Sequence, residues 1–199
     1  MNILLSVPTF ESVQTETFSS IYNMDKGSHN VDLSFIKGYD CANARNMMVQ
    51  QALDLKYDYI FMVDSDIILP EDALLELLHI DEDIAFGYYP THKDGCDTSC
   101  TSLFKYVGDD MIDIIKVDEL VYSQCNKLRV YGGGMGCALI KTDIFNKLEY
   151  PWFNWVNYTN GLSQSEDMYF CSQCYDKNIP IYTNTDVMCG HISKVIQSF

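Results

Sequence analysis

The stretch from Tyr57 to Pro70, YDYIFMVDSDIILP, constrains this chain more than any other. Five of the six residues from Tyr59 to Asp64 are apolar or aromatic. The run is too short to span a membrane and has the length of a strand buried on both faces. It ends in Asp64-Ser65-Asp66. Two carboxylates one residue apart repel each other unless a positive group lies beside them, and in open α/β sheets ligands bind at the carboxyl ends of the strands. A divalent cation with oxygen ligands meets both conditions. The competing role is helix capping, because acids favour helix N-termini. Pro70-Glu71-Asp72 already supply that start, so Asp64 and Asp66 lie too early to be caps.

The chain around this stretch alternates strand and helix. Asn2 to Val7 predicts a first strand stopped by Pro8-Thr9, which leaves Ser6 to Phe10 as a binding loop at its carboxyl end. Glu11 to Asn23 predicts a helix, with Phe18, Ile21 and Tyr22 at spacings of three and four, and Lys26-Gly27-Ser28 breaks it. Val31 to Lys37 predicts a second strand, and Cys41 to Leu55 a helix with Arg45 and Asn46 in its first turns. A helix over Glu71 to Leu78 and a strand over Ile84 to Tyr89 complete the βαβ pattern of a mainly parallel sheet.

Past Pro90 the pattern changes. Short β-like runs at Leu103 to Val107, Asp113 to Val117 and Leu128 to Tyr131 predict an antiparallel addition. Four glycines within Gly132 to Gly136 admit a close backbone approach to a ligand or serve a hairpin connection, and their spacing is that of neither a P-loop nor a dinucleotide site. Cys137 to Ile140 is apolar, and Thr142 is a candidate N-cap for Asp143 to Leu148. The aromatic patch Pro151-Trp152-Phe153-Asn154-Trp155 suits either the core or stacking on a sugar face. Ser163 or Ser165 can cap a helix from Glu166 to Asp176, with Glu166 and Asp167 in the turn where the dipole favours acids. Ile179 to Thr183 predicts the last strand, and His191 follows.

Composition narrows the partners. At 199 residues and 47% hydrophobic, one domain spanning 1–199 is expected, with no targeting segment and no membrane span, hence a cytoplasmic chain. A formal charge of -15 repels nucleic acid and anionic lipid. The eight cysteines are expected as buried or free thiols. A zinc site from Cys96, Cys100, Cys171 and Cys174 lacks a zinc-ribbon context, since the second pair falls in a predicted helix.

In their order and spacing, ILLSVPTF, ARN, VDSDI, GGGMGCALIKTDIF, PWF, SEDMYF and CGHI resemble a minimal nucleotide-sugar glycosyltransferase of the GT-A fold, similar to the family 2 type. The resemblance implies an α/β, Rossmann-like fold with a mixed, mainly parallel central sheet and a small antiparallel addition. Residues 1–90 would be the nucleotide-binding half and 91–199 the acceptor-side half. It implies nucleoside contacts at Val7, Pro8, Thr9 and Asp32, diphosphate contact at Arg45, and a donor cradle including Ser65, Gly134 and Gly136. The Asp-x-Asp (DXD) pair would bind ribose and metal through Asp64 and Asp66, with His191 completing the metal shell. Asp167 would be the catalytic base of an inverting transfer, with Glu166 as the backup candidate. The second strand lacks the common Asp-Asp-x-Ser ending, and the sequence stops eight residues after His191, with no long acceptor domain or membrane tail expected.

The implied chemistry is coherent. A diphosphate leaving group develops negative charge, and in so acidic a chain its stabiliser is a divalent metal with Arg45. Mn²⁺ or Mg²⁺ suits carboxylate, diphosphate and one imidazole, the nitrogen favouring Mn²⁺. The donor would be a UDP- or GDP-sugar and the acceptor a glycan or glycoconjugate hydroxyl, deprotonated from the opposite face. Retaining transfer stays open. A sugar-1-phosphate nucleotidyltransferase needs a Gly-rich basic loop after the first strand, which Pro8 to Val13 does not contain. A non-catalytic sugar-binding module is the alternative from another class.

Overall fold

Side chains alternate across β1 (Asn2–Thr9). Ile3, Leu5 and Val7 join one hydrophobic layer, while Leu4 joins the other. The computed structural model describes residues 1–91, 100–108, 111–121, 126–159 and 161–192. After β1 come α1 (Thr15–Asn23), β2 (Asn30–Lys37), α2 (Cys41–Asp54), β3 (Tyr59–Val63), β4 (Ile67–Ile68), α3 (Ala73–His79) and β5 (Ile84–Tyr88). The second half holds β6 (Cys100–Tyr106), β7 (Ile112–Lys116), α4 (Val117–Val121), β8 (Lys127–Val130), β9 (Gly132–Gly133) and β10 (Cys137–Lys141). A 3-10 turn (Thr142–Asn146), β11 (Val156–Asn157), β12 (Ser163–Gln164), α5 (Glu166–Asp176), β13 (Ile181–Met188) and β14 (Gly190–His191) follow.

The main sheet has the order β2-β1-β3-β10-β5-β13-β8. β2, β1, β3, β5 and β13 run one way, and β10 and β8 run against them. The smaller sheet, β7-β6-β9, is the antiparallel addition. Every residue of β3 is buried. Tyr59, Phe61 and Val63 pack toward Ile21 of α1 and Leu74 and Leu77 of α3, while Ile60 and Met62 pack toward Met48 and Val49 of α2. Burying each such large side chain is worth about 1.5–3 kcal/mol.

Several sequence expectations are corrected. Pro8-Thr9 does not stop β1, which pairs with β2 as far as Thr9 and Lys37. Thr9 accepts from Gly38 on the β2 side, so the N–H that Pro8 lacks would point toward β3, where pairing has ended at Ser6 and Met62. Helix α1 starts at Thr15, and it buries Thr17 and Ile21 while Phe18 and Tyr22 stay exposed. Leu128 belongs to β8 on the main sheet's edge, not to the small sheet. Thr142 caps no helix, because its hydroxyl donates to the Tyr57 carbonyl. Cys100 is held in a disulfide rather than free, and Cys96 lies outside the described residues. Among the described residues no helix is long and apolar enough to cross a membrane.

Candidate active site

Asp64 follows directly on β3 and continues the face that Ile60 and Met62 present to α2. Asp40 caps α2 by accepting from the Asn43 N–H, and Arg45 lies one turn into this helix. Arg45 is 2% exposed. Its Nη2 donates to Asp64 Oδ1 at 2.9 Å, and its Nε lies 3.4 Å from Asp167 Oδ1 and 3.6 Å from Glu166 Oε1. One guanidinium thus joins the end of β3 to the start of α5. Burial alone would lower the Arg45 pKa, but Asp64, Asp167 and Glu166 outweigh it and raise it on balance. The sequence expected Arg45 at a diphosphate; the structure holds it beneath the surface among three acids.

Ser165 is the cap of α5, its hydroxyl accepting from the Met168 N–H. The two acids that follow both reach Arg45 Nε, yet they differ in surroundings. Glu166 is buried at 4% exposure. Asp167 lines a cavity of about 890 Å³ bounded by the small sheet and the β11–β12 hairpin. Its carboxyl is pushed well above the usual range, first by burial and then by Glu166 and Asp64, against the pull of Arg45. A carboxylate shifted toward neutrality at a cavity wall is the environment of a general base.

Asp66 lies on the other side, on a cavity of about 400 Å³ lined also by Phe10, Glu11, Gln14, Ser65 and Ile192. Pairing of β14 with β4 sets His191 opposite Ile67, and this brings His191 Nε2 to 3.7 Å from Asp66 Oδ2. His191 Nδ1 lies 3.1 Å from the Pro90 carbonyl, to which it donates. The neutral ring then carries its lone pair on Nε2, facing Asp66. The imidazole beside Asp66 holds that carboxyl below its usual range, and Asp66 raises His191 in return. An oxygen and an imidazole nitrogen presented side by side are donor types that Mn²⁺ or Mg²⁺ accepts. Asp64 is turned to Arg45 instead, and among the described residues no three His, Cys, Asp or Glu converge as a metal cluster.

Tyr89, a residue that no sequence motif singled out, links the Asp167 cavity to His191. Its ring packs edge-on against His191 with centroids 5.2 Å apart, and it lines the Asp167 cavity. This ring explains two glycines. A Cβ on Gly134 would lie 2.2 Å from the Tyr89 hydroxyl, and one on Gly136 would lie 2.8 Å from the ring. The Asp64 N–H donates to Gly136, so the glycine segment also fixes the end of β3. Val7, Pro8 and Thr9 are buried at the carboxyl end of β1, where Thr9 Oγ1 donates to the Ser12 carbonyl. Asp32 is not brought to the site. It pairs in register with Leu4, four residues back from Ile36 opposite Pro8, or roughly 13 Å along the strand, and it accepts from the Tyr57 hydroxyl.

The sheet order and the antiparallel β10 between β3 and β5 are those of the GT-A fold, a Rossmann-like α/β fold. Solved structures share it. A197 from STIV superposes with a TM-score of 0.65 at 20% identity, over 98% of this chain and 87% of that one. GalNAc-T7 with UDP, GalNAc and Mn²⁺ gives 0.63 at 10% identity, over 97% of this chain and 44% of that one. S. aureus TarS 1-349 in complex with UDP-GlcNAc gives 0.54 at 16% identity, over 98% and 60%. The chain thus spans less than two thirds of the latter two. No family model and no curated protein sequence matches it.

Proposed function

We propose that this chain is a glycosyltransferase that moves a sugar from a UDP- or GDP-sugar to a hydroxyl of a glycan or glycoconjugate, with inversion. One observation carries the proposal: Asp167 opens onto the larger cavity while Asp66, with His191 3.7 Å away, lines the smaller, and Arg45 ties Asp167 to Asp64, two residues before Asp66. In this scheme the donor lies over Ser65 and Asp66, along the backbone that follows Val7-Pro8-Thr9, and its sugar points toward Asp167. Asp66 and His191 would hold Mn²⁺ or Mg²⁺, which would supply Lewis-acid stabilisation of the diphosphate leaving group. Asp167 takes the proton of the acceptor hydroxyl as it attacks the face opposite the leaving group. Arg45 keeps Asp64 and Asp167 in place, a positioning role. GalNAc-T7 holding UDP and Mn²⁺ and TarS holding UDP-GlcNAc on the same fold support the donor class.

Incubation with a panel of UDP- and GDP-sugars and Mn²⁺, reading nucleoside diphosphate release, tests the proposal. Slow release is expected; EDTA should abolish it, and Asp66→Ala should do the same without unfolding the protein. Donor binding with no release would make the chain a binding module. Pyrophosphate formed from a nucleoside triphosphate and a sugar 1-phosphate would make it a nucleotidyltransferase. The anomeric configuration of the product by NMR separates inversion from retention.

A further inference from the structure

We propose that the cavity over Asp167 binds a neutral oligosaccharide as acceptor, with one sugar ring laid against Trp155 and Tyr158; the acceptor role rests on the transferase proposed above. Trp152 and Phe153 are in the core at 7% and 1% exposure, yet Trp155, two residues on, is 52% exposed and Tyr158 is 49% exposed. Both line the cavity and flank β11, whose pairing with β12 through Val156–Gln164 and Asn157–Ser163 sets where they stand. Large aromatic faces left in water at a cavity wall suit the apolar C–H face of a sugar ring.

The platform is built rather than incidental. The Tyr158 hydroxyl donates to Gln164 Oε1 at 3.0 Å, while Gln164 Nε2 donates to the Met168 carbonyl and Ser172 Oγ. The Tyr158 ring is thereby referenced to α5, the helix that carries Asp167. A sugar seated on it needs little further ordering of the protein. Thr91, Ser102 and Ser163 bring polar groups to the wall for sugar hydroxyls. Among the described lining residues Asp167 alone is charged, and the whole chain carries -15. That field opposes uronic, sialic or phosphorylated acceptors. A volume of about 890 Å³ lies near the top of the roughly 300–1,000 Å³ range of ligand sites, room for more than one sugar ring.

The chain's two tryptophans make the test direct. Trp152 is buried, with its indole N–H donating to the Phe145 carbonyl, so a ligand-dependent change in emission reports Trp155. The probes are neutral trisaccharides of glucose, galactose, mannose and N-acetylglucosamine, each beside a uronic or sialic acid counterpart. At least one neutral trisaccharide should change the emission saturably, with its acidic counterpart about tenfold weaker or more. By calorimetry, Trp155→Ala should weaken the same saccharide by about tenfold, with melting temperature and Mn²⁺-dependent UDP binding unchanged. The proposal is overturned if no member of the panel changes the emission, if acidic saccharides bind as well, or if Trp155→Ala leaves affinity intact. Donor turnover is read separately in the same samples. Saccharide binding without turnover overturns the transferase and keeps the cavity's ligand; turnover without saccharide binding does the reverse.

Discussion

At the scale of single residues, the site departs from what stability alone would favour. One buried cation faces three carboxylates, and Asp167 Oδ1 together with Arg45 Nε and Nη1 makes no hydrogen bond despite burial. The raised Asp167 pKa is therefore a stability statement. A carboxyl whose folded pKa lies above its unfolded value of about 3.9 binds its proton more tightly when folded. Its contribution is fully present below that value and is lost as pH rises through the raised one. Asp167→Asn removes the ionisation, and the variant should be more stable than the parent above this window, by about 1 kcal/mol or more, with no advantage at low pH. If Asp167 is the base, the same change slows sugar transfer by roughly 10²–10⁴-fold. Melting temperature against pH, together with turnover, checks both halves. A variant less stable at every pH would instead make Asp167 a net stabilising partner of Arg45.

At the scale of elements, the two helices of the site are held in register by a residue beside Arg45. Asn46 Nδ2 donates to the carbonyls of Ala42 and Phe153, and its Oδ1 accepts from the N–H groups of Trp152 and Phe153. Phe153 stacks on Phe170 of α5 with centroids 5.1 Å apart. Arg45 on α2 meets Asp167 on α5 because this loop bridges the helices. Asn46→Ala leaves buried donors and an acceptor without partners, each costing about 1–3 kcal/mol. Denaturant unfolding should show a total loss of about 3–5 kcal/mol. A loss below about 1 kcal/mol would mean that water or a shifted loop replaces the amide. In sequence, ARN and PWF are separate motifs, and nothing in either announces that one side chain serves both.

For the whole molecule, charge opposes the fold. With 28 acidic against 13 basic residues, self-repulsion weakens the compact state and counterions relieve it. Raising monovalent salt from about 0.02 M to about 0.3 M shortens the screening length to below ~10 Å, and the melting temperature should climb by several degrees. Scanning calorimetry across that series checks it. A flat or falling melting temperature would place stability in the local ion pairs around Arg45, which salt weakens.

The sequence by itself determined the elements whose signal is local. Apolar runs marked β1, β3 and β5, helical spacing marked α2, and Ser163 or Ser165 with two acids marked the start of α5, where the structure selects Ser165. It also put Asp64 and Asp66 at the end of a buried strand, because burial stops where charge begins. Tertiary structure alone decided what depends on direction or distant contact. Periodicity carries no polarity, so Cys137 to Lys141 gave no sign that it would enter the middle of the sheet antiparallel to its neighbours. Asp66 and His191 are 125 positions apart and meet through two residue pairs of β4 and β14. Arg45 has partners from two other elements, and the glycines answer to Tyr89, a close approach that no spacing of glycines encodes.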